Sequence, residues 1–388
     1  SSGAEVQVAN VVPVLTAGSV SVAANATAFA ITIVGSGFDT TFSNNTVTFE
    51  NGVTGAVTGA TATSLTVNVT ATSATVAGDL TAKVTTNGNE SLAFVKVATV
   101  RPIVTVSSAD LAANADTLTI SGFGFDTTNT NSTVTFSNGA VGTVESTGLT
   151  TTSMSVTFVG GTKPRAGNLT AIVTSNGVIS GTAVKVAEVS PVVTISTTGL
   201  AANSSQITIA GFGFATTAAN NSVTFNNSAV GTVVSATATS LTVTFSVRPT
   251  VFGSLTAEVT SNGIVSSAAT QVATIVPTVT ANAALRLPVN ASSVTIAGFG
   301  FNGVTAANNE VEFTNGAVGT VSASGLSATS LTVTLSTRPT VAGPLSARVK
   351  IGVGNFGAFS QIASVTPVVS ANAGNNICLL YTSPSPRD

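Results

Sequence analysis

The stretch TIAGFGF fills residues 208–214 and returns unchanged at residues 295–301, 87 positions later. Near-copies, ITIVGSGF at 31–38 and LTISGFGF at 118–125, stand at a similar interval upstream. A second motif keeps the same beat: VANVVP at 8–13 is matched by VATVRP at 97–102, then at Val186–Pro191, Val272–Pro277 and, with Ile first, Ile362–Pro367. Its prolines, Pro13, Pro102, Pro191, Pro277 and Pro367, lie 89, 89, 86 and 90 residues apart. Self-similarity at a fixed period marks tandem units. A period of about 88 is too long for a solenoid repeat and suits a small independent β domain.

The spacing predicts four complete units, 11–99, 100–188, 189–274 and 275–364. Residues 1–10 read as the last strand of a preceding unit and residues 365–377 as the first strand of a following one. The final stretch, CLLYTSPSPRD at 378–388, breaks the pattern and holds the only Cys and the only Tyr. It resembles the translation of a sequencing-library adapter and is set aside from fold reasoning. Without it the chain has no cysteine, so disulfides do not staple these units.

Composition agrees with an all-β chain. Hydrophobic residues make up 43% and charged residues only 7%, the net charge is −2, and there is no His and no Trp. Val and Thr favour strands, while Gly and Asn favour turns. No apolar run reaches the length of a membrane-spanning helix, and the aromatic girdles of a transmembrane barrel are missing. No membrane insertion within this stretch is expected.

Within the third unit, alternating runs place strands at 192–196, 206–214, 221–225, 230–234, 241–245, 255–260 and 268–273. Asn51-Gly52, Asn138-Gly139 and Asn315-Gly316, with Asn227-Ser228 at the equivalent place in the third unit, follow an alternating run and read as hairpin turns. Seven short strands with turn signals argue for an immunoglobulin-type β-sandwich. Ile207 and Ile209 share a strand face, whereas Phe214 has the opposite parity; Gly211 and Gly213 suggest a bulge that changes register between them. The GxGF residues are thereby read as a core-building device. They are Gly35, Gly37 and Phe38; Gly122, Gly124 and Phe125; Gly211, Gly213 and Phe214; and Gly298, Gly300 and Phe301. The other aromatic, Phe212, is Ser36 in the first unit, so it is expected to be less buried.

The order G-x-G-F, N-x-V-x-F, T-S-L-T-V, G-x-L-x-A-x-V, N-G resembles the IPT/TIG domain, over all four units. The resemblance implies an immunoglobulin-like fold. Such domains occur in bacterial surface proteins, some polysaccharide-active enzymes, plexin-type receptors and Rel-type transcription factors, so it implies fold more than function.

Candidate chemistry is sparse. The GxGxxG at 352–357 needs a strand-to-helix context to bind a dinucleotide, and here it precedes a strand. Asp39 and Asp126 follow GxGF but become Ala215 and Asn302 in the later units. Turn capping explains them better than calcium, which wants several carboxylates. Without His the usual general base is missing, and Glu310 and Glu312, the only close acidic pair, lie on one strand face. Lys163, Arg165, Arg248 and Arg338 are too scattered for a nucleic-acid footprint. No cofactor, metal or nucleic-acid partner is expected.

The expectation is a rod-like, non-enzymatic tandem array from a microbial cell-surface or secreted extracellular protein, serving as a structural or adhesive stalk. The runner-up is a set of accessory domains of a larger polysaccharide-active enzyme. An unknown protein or glycan partner, or self-association through sparsely charged strand edges, completes the readings.

Overall fold

The structure, a computed structural model, describes residues 9–50, 53–71, 75–159 and 162–369. The segment read as a sequencing scar, 378–388, lies outside them, as do the Asn51-Gly52 turn, residues 1–8 of the strand read at 1–10 and residues 370–377 of the one read at 365–377.

The third sandwich shows the plan. Val192–Val193, Gln206–Phe212, Ser240–Val247 and Val230–Thr237 form one sheet in that spatial order. Gly199–Ala201, Thr270–Val276, Gly253–Ser261 and Asn221–Phe225 form the other, and Ile264–Val265 adds to Gly253–Ser261. This is the ABED-on-CFG arrangement of an immunoglobulin sandwich, with its first strand split between the sheets. The first half pairs antiparallel with Gln206–Phe212 and the second half parallel with Thr270–Val276. The other three sandwiches repeat the order. The chain is therefore an all-β tandem array of immunoglobulin-like β-sandwiches.

Period-two alternation builds each core. In the third, Ile207, Ile209, Leu241 and Val243 pack with Leu255, Ala257 and Val259, while Thr208 between the isoleucines is exposed. Four separate cores result, drawn from residues 15–100, 104–189, 193–275 and 279–365. Val100, Val189, Ile275 and Val365 belong to the preceding core in each case. The closing strands thus run two residues past the limits at 99, 188, 274 and 364 that the spacing suggests, because alternation continues up to the joint.

Two local expectations are corrected. First, the register change between Ile209 and Phe214 is made beyond the paired stretch: Gln206–Phe212 keeps regular register with Ser240–Val247 from Gln206↔Thr244 to Ala210↔Ser240, and the Gly211 and Phe214 amides then donate to the successive carbonyls of Thr239 and Ala238. The strand ends at Phe212, and Gly213, at φ +79°, turns the chain so that Phe214 folds back under it. Second, the Asn227-Ser228 turn is not a hairpin. Both residues have positive φ, 56° and 58°, as a tight turn needs. Yet Asn221–Phe225 and Val230–Thr237 lie at the edges of opposite sheets, so the turn carries the chain over the rim. Asn138-Gly139 and Asn315-Gly316 do the same. Burial decides this: Phe225 and Val233 are both core residues of the third sandwich, and pairing their strands side by side in one sheet would leave the second sheet without its edge. Asn262-Gly263, by contrast, closes a true two-residue hairpin, Ser261 opposite Ile264.

Candidate functional site: the inter-repeat joint

One proline separates neighbouring sandwiches. Val95–Arg101 leads through Pro102 into Ile103–Val104, Val184–Ser190 through Pro191 into Val192–Val193, and Thr270–Val276 through Pro277 into Thr278–Val279. Proline fixes its own φ and holds its predecessor extended. Pro13, Pro102, Pro191 and Pro277 are buried, and Pro367 is exposed.

The GxGF motif stands over this proline. Its first glycine lies flat beneath the ring of the motif's own Phe: a Cβ on Gly211 would sit 2.3 Å from Cζ of Phe214 and 2.3 Å from the Val192 carbonyl oxygen. Gly35, Gly122 and Gly298 meet Phe38, Phe125 and Phe301 in the same way. Each ring is buried in its own core, Phe125 and Phe214 with no exposed surface. Burial of such a side chain is worth about 1.5–3 kcal/mol.

The second glycine faces the preceding sandwich. A Cβ on Gly213 would lie 2.3 Å from that of Ala113 and 3.5 Å from Cα of Pro191. Gly124 meets Ala24 at 2.5 Å, and Gly300 meets Ala202 at 2.7 Å. Those alanines are held in place from behind. The Ala24, Ala113 and Ala202 amides donate to the carbonyls of Arg101, Ser190 and Val276, the residues just before each joint proline. Among the described residues the atoms nearest a Cβ on the first unit's Gly37, at φ +78°, are those of Pro13 and the Val12 carbonyl.

Phe212 is half-buried because it packs on the second core, not on its own. Phe123 and Phe299 likewise pack on the first and third cores. Sequence reasoning saw a less buried ring but missed what it covers. The one signal was its replacement by Ser36 in the first unit, where no described sandwich precedes it.

Hydrogen bonds close two of the joints on one side. The Ala77 N–H donates to the Gly124 carbonyl at 2.9 Å, and Nδ2 of Asn176 donates to the Ala77 carbonyl at 2.9 Å. At the next joint the Ala166 N–H donates to the Gly213 carbonyl at 2.8 Å, and Nδ2 of Asn262 to the Ala166 carbonyl at 3.0 Å. Basic residues add to this. Arg101 donates to the Ser180 carbonyl at 2.9 Å, Arg165 to Oγ1 of Thr216 at 3.2 Å, and Nζ of Lys163 lies 5.7 Å from the centre of the Phe212 ring while pairing with Asp116. Lys163 and Arg165 are thus committed to a joint.

The loop after GxGF is fixed by the Asn that opens N-x-V-x-F. Asn221, buried, accepts from the Ala215 N–H and donates to the carbonyls of Ala215 and Thr217. Asn45 and Asn309 act alike. Asp39 caps the same loop in the first unit. The Asn87 side-chain amide, the Thr41 N–H and the Asn44 amide hold its carboxyl at about 2, below the ordinary 3.8. Asp126 is lowered as well, chiefly by the Thr128 N–H.

The remaining candidates are occupied otherwise. Glu310 pairs with Lys350 at 2.5 Å and Glu312 with Arg348 at 2.6 Å across the strands Asn309–Phe313 and Gly343–Ile351. The glycines from Gly352 to Gly357 follow one strand and precede another, Ser360–Thr366. Among the described residues no three His, Cys, Asp or Glu side chains are grouped to hold a metal ion, and no helix is long and apolar enough to cross a membrane.

No family model matches the chain, and no curated protein matches it. Solved structures do. A fragment of three titin immunoglobulin domains is 11% identical over 69% of this chain and 99% of its own, with a TM-score of 0.21. Sidekick-1 immunoglobulin domains 1–5 are 13% identical over 91% and 80%, at 0.17. The insect immune protein hemolin is 12% identical over 92% and 100%, at 0.22. Superposition at that level fixes no shared arrangement of domains; the fold rests on the strand pairing itself, and by that pairing the chain consists of tandem immunoglobulin-like repeats.

Proposed function

We propose that the chain is a non-enzymatic stalk: a row of IPT/TIG-like repeats, bounded near 11–99, 100–188, 189–274 and 275–364, that spaces or presents another part of an extracellular surface or secreted protein. The observation that carries this reading is the joint. Successive sandwiches are separated by a single buried proline, and a glycine of one repeat seats on an alanine of the last. In this reading the GxGF glycines and phenylalanines are joint and core residues with no catalytic part. Repeats joined so closely suit a task of reach, since contacts at each joint oppose folding of the row upon itself.

Small-angle scattering of the full chain tests it. At roughly 35–40 Å per sandwich, from strand length plus loops, four repeats make a rod of about 150 Å. A maximum dimension below about 90 Å, the size of a folded-back cluster, sinks the stalk.

A further inference from the structure

The three described joints are built differently. Those at Pro102 and Pro191 carry the two-bond latch described above, an Ala of one repeat bonded to a Gly carbonyl and an Asn side chain of the next. At Pro277 both latch partners are replaced. Phe252 stands where Ala77 and Ala166 stand, and Gly352 stands where Asn176 and Asn262 stand. Gly352 has no side-chain amide to donate. Among the described residues no hydrogen bond joins the loop 249–253 to the fourth sandwich.

An apolar cleft takes the place of the latch. It measures about 330 Å³ and is lined by Phe252, Val276, Pro277, Ile351, Gly352 and Val353. Beside it Thr278 occupies the position of Ile103 and Val192, and its buried hydroxyl has no hydrogen-bond partner. A buried hydroxyl without a partner is a cost that the two apolar side chains do not carry. The other half of the joint is intact. Gly300 still seats on Ala202, Phe299 still packs on the third core, and Pro277 still fixes the connection.

A joint that keeps its pivot and lacks its latch opens on one side. We propose that the joint at Pro277 is a one-sided hinge, at which the fourth sandwich swings away from the loop 249–253 by opening the Phe252 cleft. The joints at Pro102 and Pro191 stay closed. Hinges of this kind absorb motion at a few element-terminal residues, and regions with few bonds open first. The inference rests on the contacts at each joint and does not need the stalk reading.

Electron–electron distance measurements between spin labels on the full chain test it, with Cys378→Ser removing the chain's one thiol. Thr119, Thr208 and Thr295 are exposed and structurally equivalent. Labels on Thr119→Cys with Thr208→Cys span the Pro191 joint, and labels on Thr208→Cys with Thr295→Cys span the Pro277 joint. The distance distribution across Pro277 is expected to be about twice as wide as that across Pro191.

Two variants read the cause. Phe252→Ala with Gly352→Asn restores the latch and narrows the Pro277 distribution. The backbone permits it, since Gly352 has φ +54° and Asn262 has φ +49°. Asn262→Gly widens the Pro191 distribution. Equal widths in the parent chain overturn the hinge: two narrow distributions leave the stalk standing, and two wide ones overturn both readings. A restored latch that leaves the Pro277 width unchanged also overturns the hinge.

Discussion

Adding one methyl group to Gly213 separates the two tasks of the GxGF motif. Ala at that position takes a φ of +79° that suits glycine, and its Cβ meets that of Ala113 at 2.3 Å. Backbone strain and overpacking each cost on the order of 1–3 kcal/mol. Gly213→Ala is therefore expected to destabilise the third repeat by roughly 2–6 kcal/mol. Ala113→Gly in the second repeat removes the clash and leaves the strain, so the double variant recovers about half of the loss. Hydrogen exchange at the third repeat under rising urea checks this. Additive losses from the two substitutions defeat the claim that this glycine is shaped by its neighbour repeat. The motif's first glycine behaves differently, because Gly211 meets Phe214 and Val192, all within its own sandwich.

At the scale of the element, the loop from Asp39 to Asn45 shows what local sequence reveals. Asp after GxGF reads as a turn cap, and the Asp39 carboxylate does accept from the Thr41 N–H. Its largest partner, Asn87, lies 48 residues away and belongs to another hairpin, so only the fold brings it there. The acid titration follows. Asp39 sits at about 2 when folded, below its ordinary 3.8, so its contribution is fully present above 3.8 and is lost as pH falls through about 2. Asp126 shifts in the same direction. The third and fourth repeats have Ala215 and Asn302 there and cannot follow. A carbon-detected NMR titration is expected to place the Asp39 midpoint near 2. A midpoint at 3.8 removes Asn87 and Thr41 from the account. The same divide explains what was legible elsewhere. Strand alternation is local, so Ile207, Ile209, Leu241 and Val243 were readable as core. The Asn227-Ser228 turn showed its positive φ but not its destination, because which strands it parts is set by packing across the sandwich. The latch was illegible for the same reason: Asn262 and the Ala166 carbonyl are 96 residues apart.

Across the whole molecule the repeats form a one-dimensional row, each touching its neighbours, and stability is then a sum of repeat and interface terms. Phe214→Ala is the perturbation that exposes those terms. The ring is fully buried in the third core and covers Gly211, so its removal costs about 3–5 kcal/mol, a large part of one domain's stability of roughly 5–15 kcal/mol. The loss should spread unevenly. When the third repeat opens, the Ala166 amide of the second repeat loses its acceptor, the Gly213 carbonyl. Asn262 withdraws from the Ala166 carbonyl at the same time. The fourth repeat loses the Ala202 seat beneath Gly300 and the surface under Phe299, but no hydrogen bond from the loop 249–253. Hydrogen exchange on the full chain is therefore expected to rise throughout the third repeat and at Ala166. At Ala77, one joint further back, it should stay unchanged, since its acceptor Gly124 belongs to the second repeat. In the fourth repeat the strands Ser293–Phe299 and Ser330–Thr337 should keep their protection, because their ladder is complete without the third sandwich. Uniform deprotection of all four repeats contradicts nearest-neighbour coupling, and deprotection that reaches the fourth repeat but spares Ala166 reverses the order of joint strengths argued from their hydrogen bonds.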